Sequence, residues 1–257
     1  MVKGDKDGMA ADAASDLRLA VQIEQLLFPK TPPVCDWCCI GMKNRMASGL
    51  GGDYFDFITM DDGCQAVYIG DVTGHGVHAS VVMTLIYGYM HRAARETCNP
   101  LTLVTEVNNF LCYFAERSQL LDYFFSSTIF FGVIDPQTLQ MNYVNAGHGA
   151  PMVVRGDTIT RLSTTGQPIG FFSNPEMEQR TFQFVQGDRF LLYTDGITES
   201  ANSEHELFGS ERVEQLLLTG KDGHREFLDQ LFAALRDFGA DDTPADDCTA
   251  ILMDFHG

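Results

Sequence analysis

Apolar positions in this chain alternate between short strand-like runs and longer stretches at helical spacing. Residues 16–28, DLRLAVQIEQLLF, set Leu19, Val21, Ile23, Leu26 and Leu27 near a helical period. Ser15 or Asp16 would cap that helix, and Pro29, Pro32 and Pro33 would end it. Residues 34–42, 53–60 and 64–72 read as strands. The third, CQAVYIGDV, is apolar almost throughout, which predicts burial on both faces. After the Gly74-His75-Gly76 turn, HASVVMTLIYGYMHRAARE has a helical pattern with Val81, Val82, Leu85, Ile86 and Tyr89 as its expected core stripe. Asn99 caps a second helix, opened by Pro100. Strands are expected near 126–134, 139–146, 151–155, 158–162, 179–185 and 189–194, with Asp135-Pro136-Gln137-Thr138 as a hairpin turn. Helices at 209–219 and 223–238 and a strand at 247–254 complete the pattern.

Consecutive strands joined by short turns indicate antiparallel sheets, and paired helices indicate covering layers. The expected class is α+β: an α-β-β-α sandwich of two antiparallel sheets flanked by helix pairs. Its expected divisions are a disordered tail over 1–15, an N-terminal helix and linker over 16–33, and one domain over 34–257. A chain of 257 residues, 45% hydrophobic and 20% charged, has ordinary globular composition.

Charge narrows the function. Lys and Arg number 17 against 35 Asp and Glu, a formal charge of −18. The basic footprint of a nucleic-acid or anionic-membrane partner is missing. No run approaches the ~18 apolar residues of a membrane span, and the polar N-terminus lacks a signal-peptide core. Seven cysteines, with no regular framework, fit reduced thiols in a cytoplasmic protein. Cys35-x-x-Cys38 has no second motif of metal-binding spacing, so it reads as structural.

Four acidic motifs carry the chemistry: GGDYFD with Asp53 and Asp56, DVTGHG with Asp71, TDGITE with Asp195 and Glu199, and Asp246-Asp247-Cys-Thr. Each lies where an apolar run starts or stops. Gathered together, they form an oxygen-rich pocket suited to hard dications such as Mg²⁺ or Mn²⁺. Two such ions can activate water against a phosphoryl group. The sequence has no GxSxG or GxxxxGKS motif, in keeping with a nucleophile supplied by water.

GGDYFDFI at 51–58, IGDVTGHGVHAS at 69–80, YVNAGHGAP at 143–151, LLYTDGITES at 191–200 and DDCTAILM at 246–253 resemble, in order, the metal-dependent PPM (protein phosphatase 2C-type) serine/threonine phosphatases. Within them the chain is similar to the bacterial branch of the sporulation stage II phosphatase and the sigma-factor-regulating stress phosphatases, and QIEQLLFP at 22–29 matches the segment preceding that domain. The resemblance implies two ions, Mn²⁺ or Mg²⁺. Asp71 would bridge them, the Val72 carbonyl would ligate one, Asp53 would bind directly or through water, and Asp195 and Asp246 would complete the other shell. Asp247 is a further metal candidate beside Asp246. A metal-bridging hydroxide would attack the phosphorus of phosphoserine or phosphothreonine.

His75 is a candidate general acid, since imidazole titrates near neutrality, although other branches set a His closer to the bridging Asp. His148 is expected to brace a turn, Asp56 to orient its strand end, and Glu199 to cap or pair. Arg45 is the nearest candidate for the phosphate-binding Arg that many PPM enzymes place ahead of the first metal Asp. By the same resemblance the partner is a phosphorylated regulator such as a STAS-type anti-sigma-factor antagonist, with a homodimer formed through the N-terminal helix. A pseudophosphatase that sequesters a phosphoprotein and a carboxylate-metal phosphodiesterase are the alternatives.

Overall fold

Ten strands and six helices are seen among the described residues of the computed structural model, which are 3–47, 49–60, 62–117, 125–239 and 246–256. The strands are β1 (Cys38–Arg45), β2 (Tyr54–Thr59), β3 (Gln65–Val72), β4 (Ser127–Asp135), β5 (Gln140–Ala146), β6 (Met152–Arg155), β7 (Thr158–Arg161), β8 (Arg180–Gln183), β9 (Arg189–Tyr193) and β10 (Cys248–Phe255). The helices are α1 (Lys3–Leu27), α2 (Val77–Ala93), α3 (Pro100–Arg117), α4 (Asp195–Thr198), α5 (Gly209–Thr219) and α6 (His224–Asp237). One sheet has the order β1-β10-β9-β6-β7 and the other β2-β3-β4-β5-β8, antiparallel throughout.

The two-residue period of the strands sorts their side chains into three apolar layers. Val67, Ile69, Phe130, Phe190, Leu192, Ile251 and Met253 fill the space between the sheets. Ala66, Tyr68, Ile129 and Phe131 face the other way, against Val82, Met83 and Ile86 of α2 and Leu103 and Val107 of α3. Leu191, Ala250 and Leu252 pack on Val213 of α5 and Leu231 and Leu235 of α6. The result is the expected α-β-β-α sandwich, with β3 buried on both faces as its apolar run requires. Asn99 Oδ1 accepts from Thr102 N at 2.9 Å, so it caps α3. Asp135 closes the β4–β5 turn by accepting from Gln137 N and Thr138 Oγ1, each at 2.8 Å.

Three readings are corrected. The helix expected over 16–28 runs from Lys3, through Ser15 and Asp16, because MAADAASD is alanine-rich and contains no breaker; Met1 and Val2 lie outside the described residues. On this helix Leu19, Ile23 and Leu26 are exposed, Val21 and Leu27 are half-buried, and Glu24 is buried. The strand expected from residue 34 starts at Cys38, which pairs with Phe255 at the end of β10; beyond that pair the Trp37 carbonyl accepts from His256 N at 3.1 Å without extending the ladder. On α2 the buried line is Ala79, Val82, Met83, Ile86 and Met90, at i+3 and i+4 steps, and Val81 is exposed.

Phe190 lies between the sheets, edge-on to Phe130 with ring centroids 5.9 Å apart. Phe190→Ala should lower unfolding free energy by about 3–5 kcal/mol in urea titration. Leu26→Ala, at a side chain 73% exposed, should stay within about 0.5 kcal/mol of wild type.

Candidate active site

Strand register brings the acidic motifs to one end of the sandwich. Tyr54 pairs with Gly70, so one further step sets Asp53 opposite Asp71. Ala250 pairs with Tyr193, which brings Asp195, at the start of α4, beside the Asp246-Asp247 entry to β10. Arg45 pairs with Cys248 and ends β1 at the same place.

Two threonines join the sheets here. The Thr194 and Thr249 hydroxyls both donate to Asp53 Oδ2, at 2.8 Å and 2.5 Å. Asp247 binds backbone, its Oδ1 accepting from Ala47 N at 2.7 Å and its Oδ2 from Gly52 N at 3.1 Å. The loop before β2 can come this close only as glycine. A Cβ on Gly51 would stand 1.7 Å from Asp247 Oδ2. One on Gly52 would stand 2.8 Å from both Asp71 Oδ1 and the Val72 carbonyl oxygen.

Depth grades the carboxylates. Asp53 and Asp247 are buried, Asp71 is half-buried, and Asp195 and Asp246 are exposed at the rim. Burial pushes the Asp71 carboxyl up to about 8, reinforced by the charges of Asp195, Asp246 and Asp247. Burial, followed by repulsion from Asp71, holds Asp53 well above the ordinary carboxylate range. Asp195, although its residue is exposed at the rim, is raised by partial desolvation of its carboxyl and then by the charge of Asp246, and Asp247 mainly by burial. Among the described residues no three His, Cys, Asp or Glu side chains already surround one point. Hard dications tolerate that, because they keep several waters and take only one or two carboxylates. The oxygen-only donors and the mutual repulsion of their charges fit such ions.

The remaining polar residues divide into braces and rim. His148 is buried, with Nδ1 3.1 Å from Thr128 Oγ1 and Nε2 3.1 Å from the Tyr193 carbonyl oxygen. The carbonyl requires Nε2 to carry the proton, and burial holds the imidazole neutral, pushed down to about 4. Its bracing role is therefore as expected. Asp56 lies away from the cluster, bonded to Tyr87 Oη at 2.5 Å and His91 Nε2 at 2.8 Å on α2. Glu199 is exposed and ends α4, its N–H donating to the Asp195 carbonyl at 2.7 Å. His75 is exposed on the turn between β3 and α2.

Sequence reasoning passed over Thr194, Thr249 and Glu24. The threonines directly precede Asp195 and closely follow Asp247, a position that could have drawn attention to them. Glu24 lies three residues from both Val21 and Leu27, on the inward side of α1, but its charge placed it on the wrong face.

Fold and site together define a PP2C-type phosphatase domain. A family model described as Stage II sporulation protein E (SpoIIE) matches residues 61–256, and the chain belongs to that family. It is 26% identical over 236 residues to Protein IcfG of Synechocystis sp., covering 83% of this chain and 37% of that protein. It is also 26% identical over 190 residues to phosphoserine phosphatase RsbP of Bacillus subtilis, covering 73% of this chain and 46% of the relative. The chain thus spans less than half the length of either. The SiaA-PP2C domain of Pseudomonas aeruginosa matches with a TM-score of 0.78 at 20% identity, over 99% of this chain and 100% of that one, and so shares the fold.

Because Asp71 titrates higher in the folded chain than in the unfolded one, folding holds a proton that the unfolded state releases. In EDTA, urea-unfolding stability should be greatest below about pH 4 as far as this group contributes, and should fall as pH rises through about 8. Asp71→Asn should flatten that decline.

Proposed function

We propose that this chain is a divalent-metal-dependent protein phosphatase acting on phosphoserine or phosphothreonine. The observation that carries this reading is the meeting of oxygen donors from both sheets at one end of the sandwich, around Asp71. Asp53, Asp71, Asp195 and Asp246 would hold two ions, Mn²⁺ or Mg²⁺, with the Val72 carbonyl as a further donor. Asp247 belongs with them as an anchor, since both its oxygens hold backbone N–H groups. When bound, such ions would activate water for attack on phosphorus and neutralise the phosphoryl oxygens.

The chain's own residues then have distinct tasks. Thr194 and Thr249 fix the orientation of Asp53 through its Oδ2. His148, held neutral, keeps the end of β9 against β4 without adding charge. His75 sits between Gly74 and Gly76, both at positive φ, on the exposed rim. From there it would protonate the departing serine or threonine oxygen. Arg45, at the end of β1, stands near enough to Cys248 to act on its thiol electrostatically, and is the candidate for steadying a substrate phosphate.

The name of RsbP, a phosphoserine phosphatase, supports a phosphoserine substrate; our specific candidate is a phosphorylated regulator such as a STAS-type anti-sigma-factor antagonist. Among the described residues no helix is long and apolar enough to cross a membrane, and we place the protein in the cytoplasm. The outward Leu19, Ile23 and Leu26 of α1 support pairing of two copies through that helix.

Hydrolysis of p-nitrophenyl phosphate and of a phosphoserine protein should require Mn²⁺ or Mg²⁺ and stop in EDTA. Asp71→Asn should lower the rate on the order of 100-fold or more. Full activity in that variant, or turnover without metal, would overturn the proposal. Phosphoprotein binding with no hydrolysis would support a sequestering module, and cleavage of diesters alone a phosphodiesterase.

A further inference from the structure

We propose that Glu24 is a positioning residue for the metal carboxylates, clamping the Gly51-Gly52 backbone to the start of α2. The proposal rests on the metal-dependent reading above and concerns a residue outside the acidic motifs.

Glu24 is 3% exposed on α1. Its Oε1 accepts from Gly51 N at 3.1 Å, and its Oε2 accepts from the Ser80 hydroxyl in the first turn of α2. Both carboxylate oxygens therefore bind chain segments distant in sequence. Gly51-Gly52 is a junction: Gly52 N donates to Asp247, and the Gly52 carbonyl accepts from Val72 N at 3.2 Å. Asp53 follows directly. Gly52 also leaves so little room beside Asp71 Oδ1 and the Val72 carbonyl that a methyl group would clash with both. A shift of the Gly51 backbone would thus be transmitted to Asp53, Asp71, Val72 and Asp247 together.

An acid is a costly choice for simply docking a helix. Burial disfavours its charge, and Asp247 repels it. An apolar side chain would bury area there without either penalty. What a carboxylate provides is two directed acceptors. They meet one backbone N–H and one hydroxyl, and so set the separation of α1, α2 and the loop that leads into Asp53.

The test is Mn²⁺ binding by titration calorimetry on the full chain, with thermal melts in EDTA as a separate reading of folding. Glu24→Ala should weaken Mn²⁺ affinity tenfold or more, about the range seen when groups that orient metal ligands are removed. Glu24→Gln should bind within about twofold of wild type, since its amide oxygen can accept from Gly51 N–H and its NH₂ can donate to Ser80 Oγ. Phe28→Ala loosens the end of α1 by removing a ring stack on Phe55 with centroids 5.4 Å apart. It should lower the melting temperature while leaving affinity within about twofold. Wild-type affinity in Glu24→Ala would overturn the clamp alone. So would a loss in Glu24→Gln or Phe28→Ala equal to that in Glu24→Ala. A wild-type chain that binds no Mn²⁺ would overturn the metal reading itself, and the clamp with it.

Discussion

The rest of this structure depends on holding like charges together. Asp53, Asp71, Asp195, Asp246 and Asp247 meet at one end of the sandwich, and burial and mutual repulsion raise the carboxyl of Asp71 to about 8. Two unit charges 4 Å apart repel by roughly 4 kcal/mol at an effective dielectric near 20. The three apolar layers carry that cost, with Phe130, Phe190 and Leu192 between the sheets and helices sealing both outer faces. The acids sit at strand ends, where the register of well-packed strands fixes their backbone, with Asp53 and Asp247 buried and Asp195 and Asp246 beside solvent. A dication reverses the sign of the interaction, converting the least favourable part of the fold into a binding site.

Groups that orient the acids are neutral or are backbone. The Thr194 and Thr249 hydroxyls act on Asp53, the N–H groups of Ala47 and Gly52 on Asp247, and a neutral His148 on the neighbouring strand end. A lysine or arginine ion-paired to these carboxylates would satisfy them and compete with a metal. Hydroxyl and amide donors aim a carboxylate without cancelling its charge. The site therefore keeps its negative potential while its geometry is restrained.

Strand positions were largely legible because period-two alternation and turn residues are local properties. β9 and α5 lie within a residue of where the pattern puts them. What failed was the facing of a helix. Val81 looked like core on α2, yet it is exposed. On α2 apolar residues occupy more than one side, so the period alone leaves the phase open, and packing against β3 settles it. On α1 the inward line passes through an acid. A buried glutamate is invisible to any rule that equates charge with solvent, because its partners, Gly51 and Ser80, are 27 and 56 residues away. The acidic motifs were readable for the opposite reason: each joins an acid to glycine or a second acid at a strand end. The division of labour within Asp246-Asp247 was not readable, since it depends on which side chain turns inward to the loop of Ala47 and Gly52.

The acids do not form a finished cage around any one point. Affinity for an ion then depends on how little the loops must rearrange to close on it, because each degree of freedom fixed on binding costs entropy. Strand pairing already restrains Asp71 and Thr249. The described residues leading into β2, Gly51 to Asp53, lie outside the named strands; they are held by Val72 N–H on the Gly52 carbonyl, by Asp247 from one side and by Glu24 from the other. Gly51 and Gly52 make close approach feasible, but they also make this stretch the softest part of the site, since glycine has the most backbone freedom to lose. A carboxylate on α1 supplies the restraint that this loop's own sequence cannot, and makes the N-terminal helix part of the metal site although it contributes no ligand.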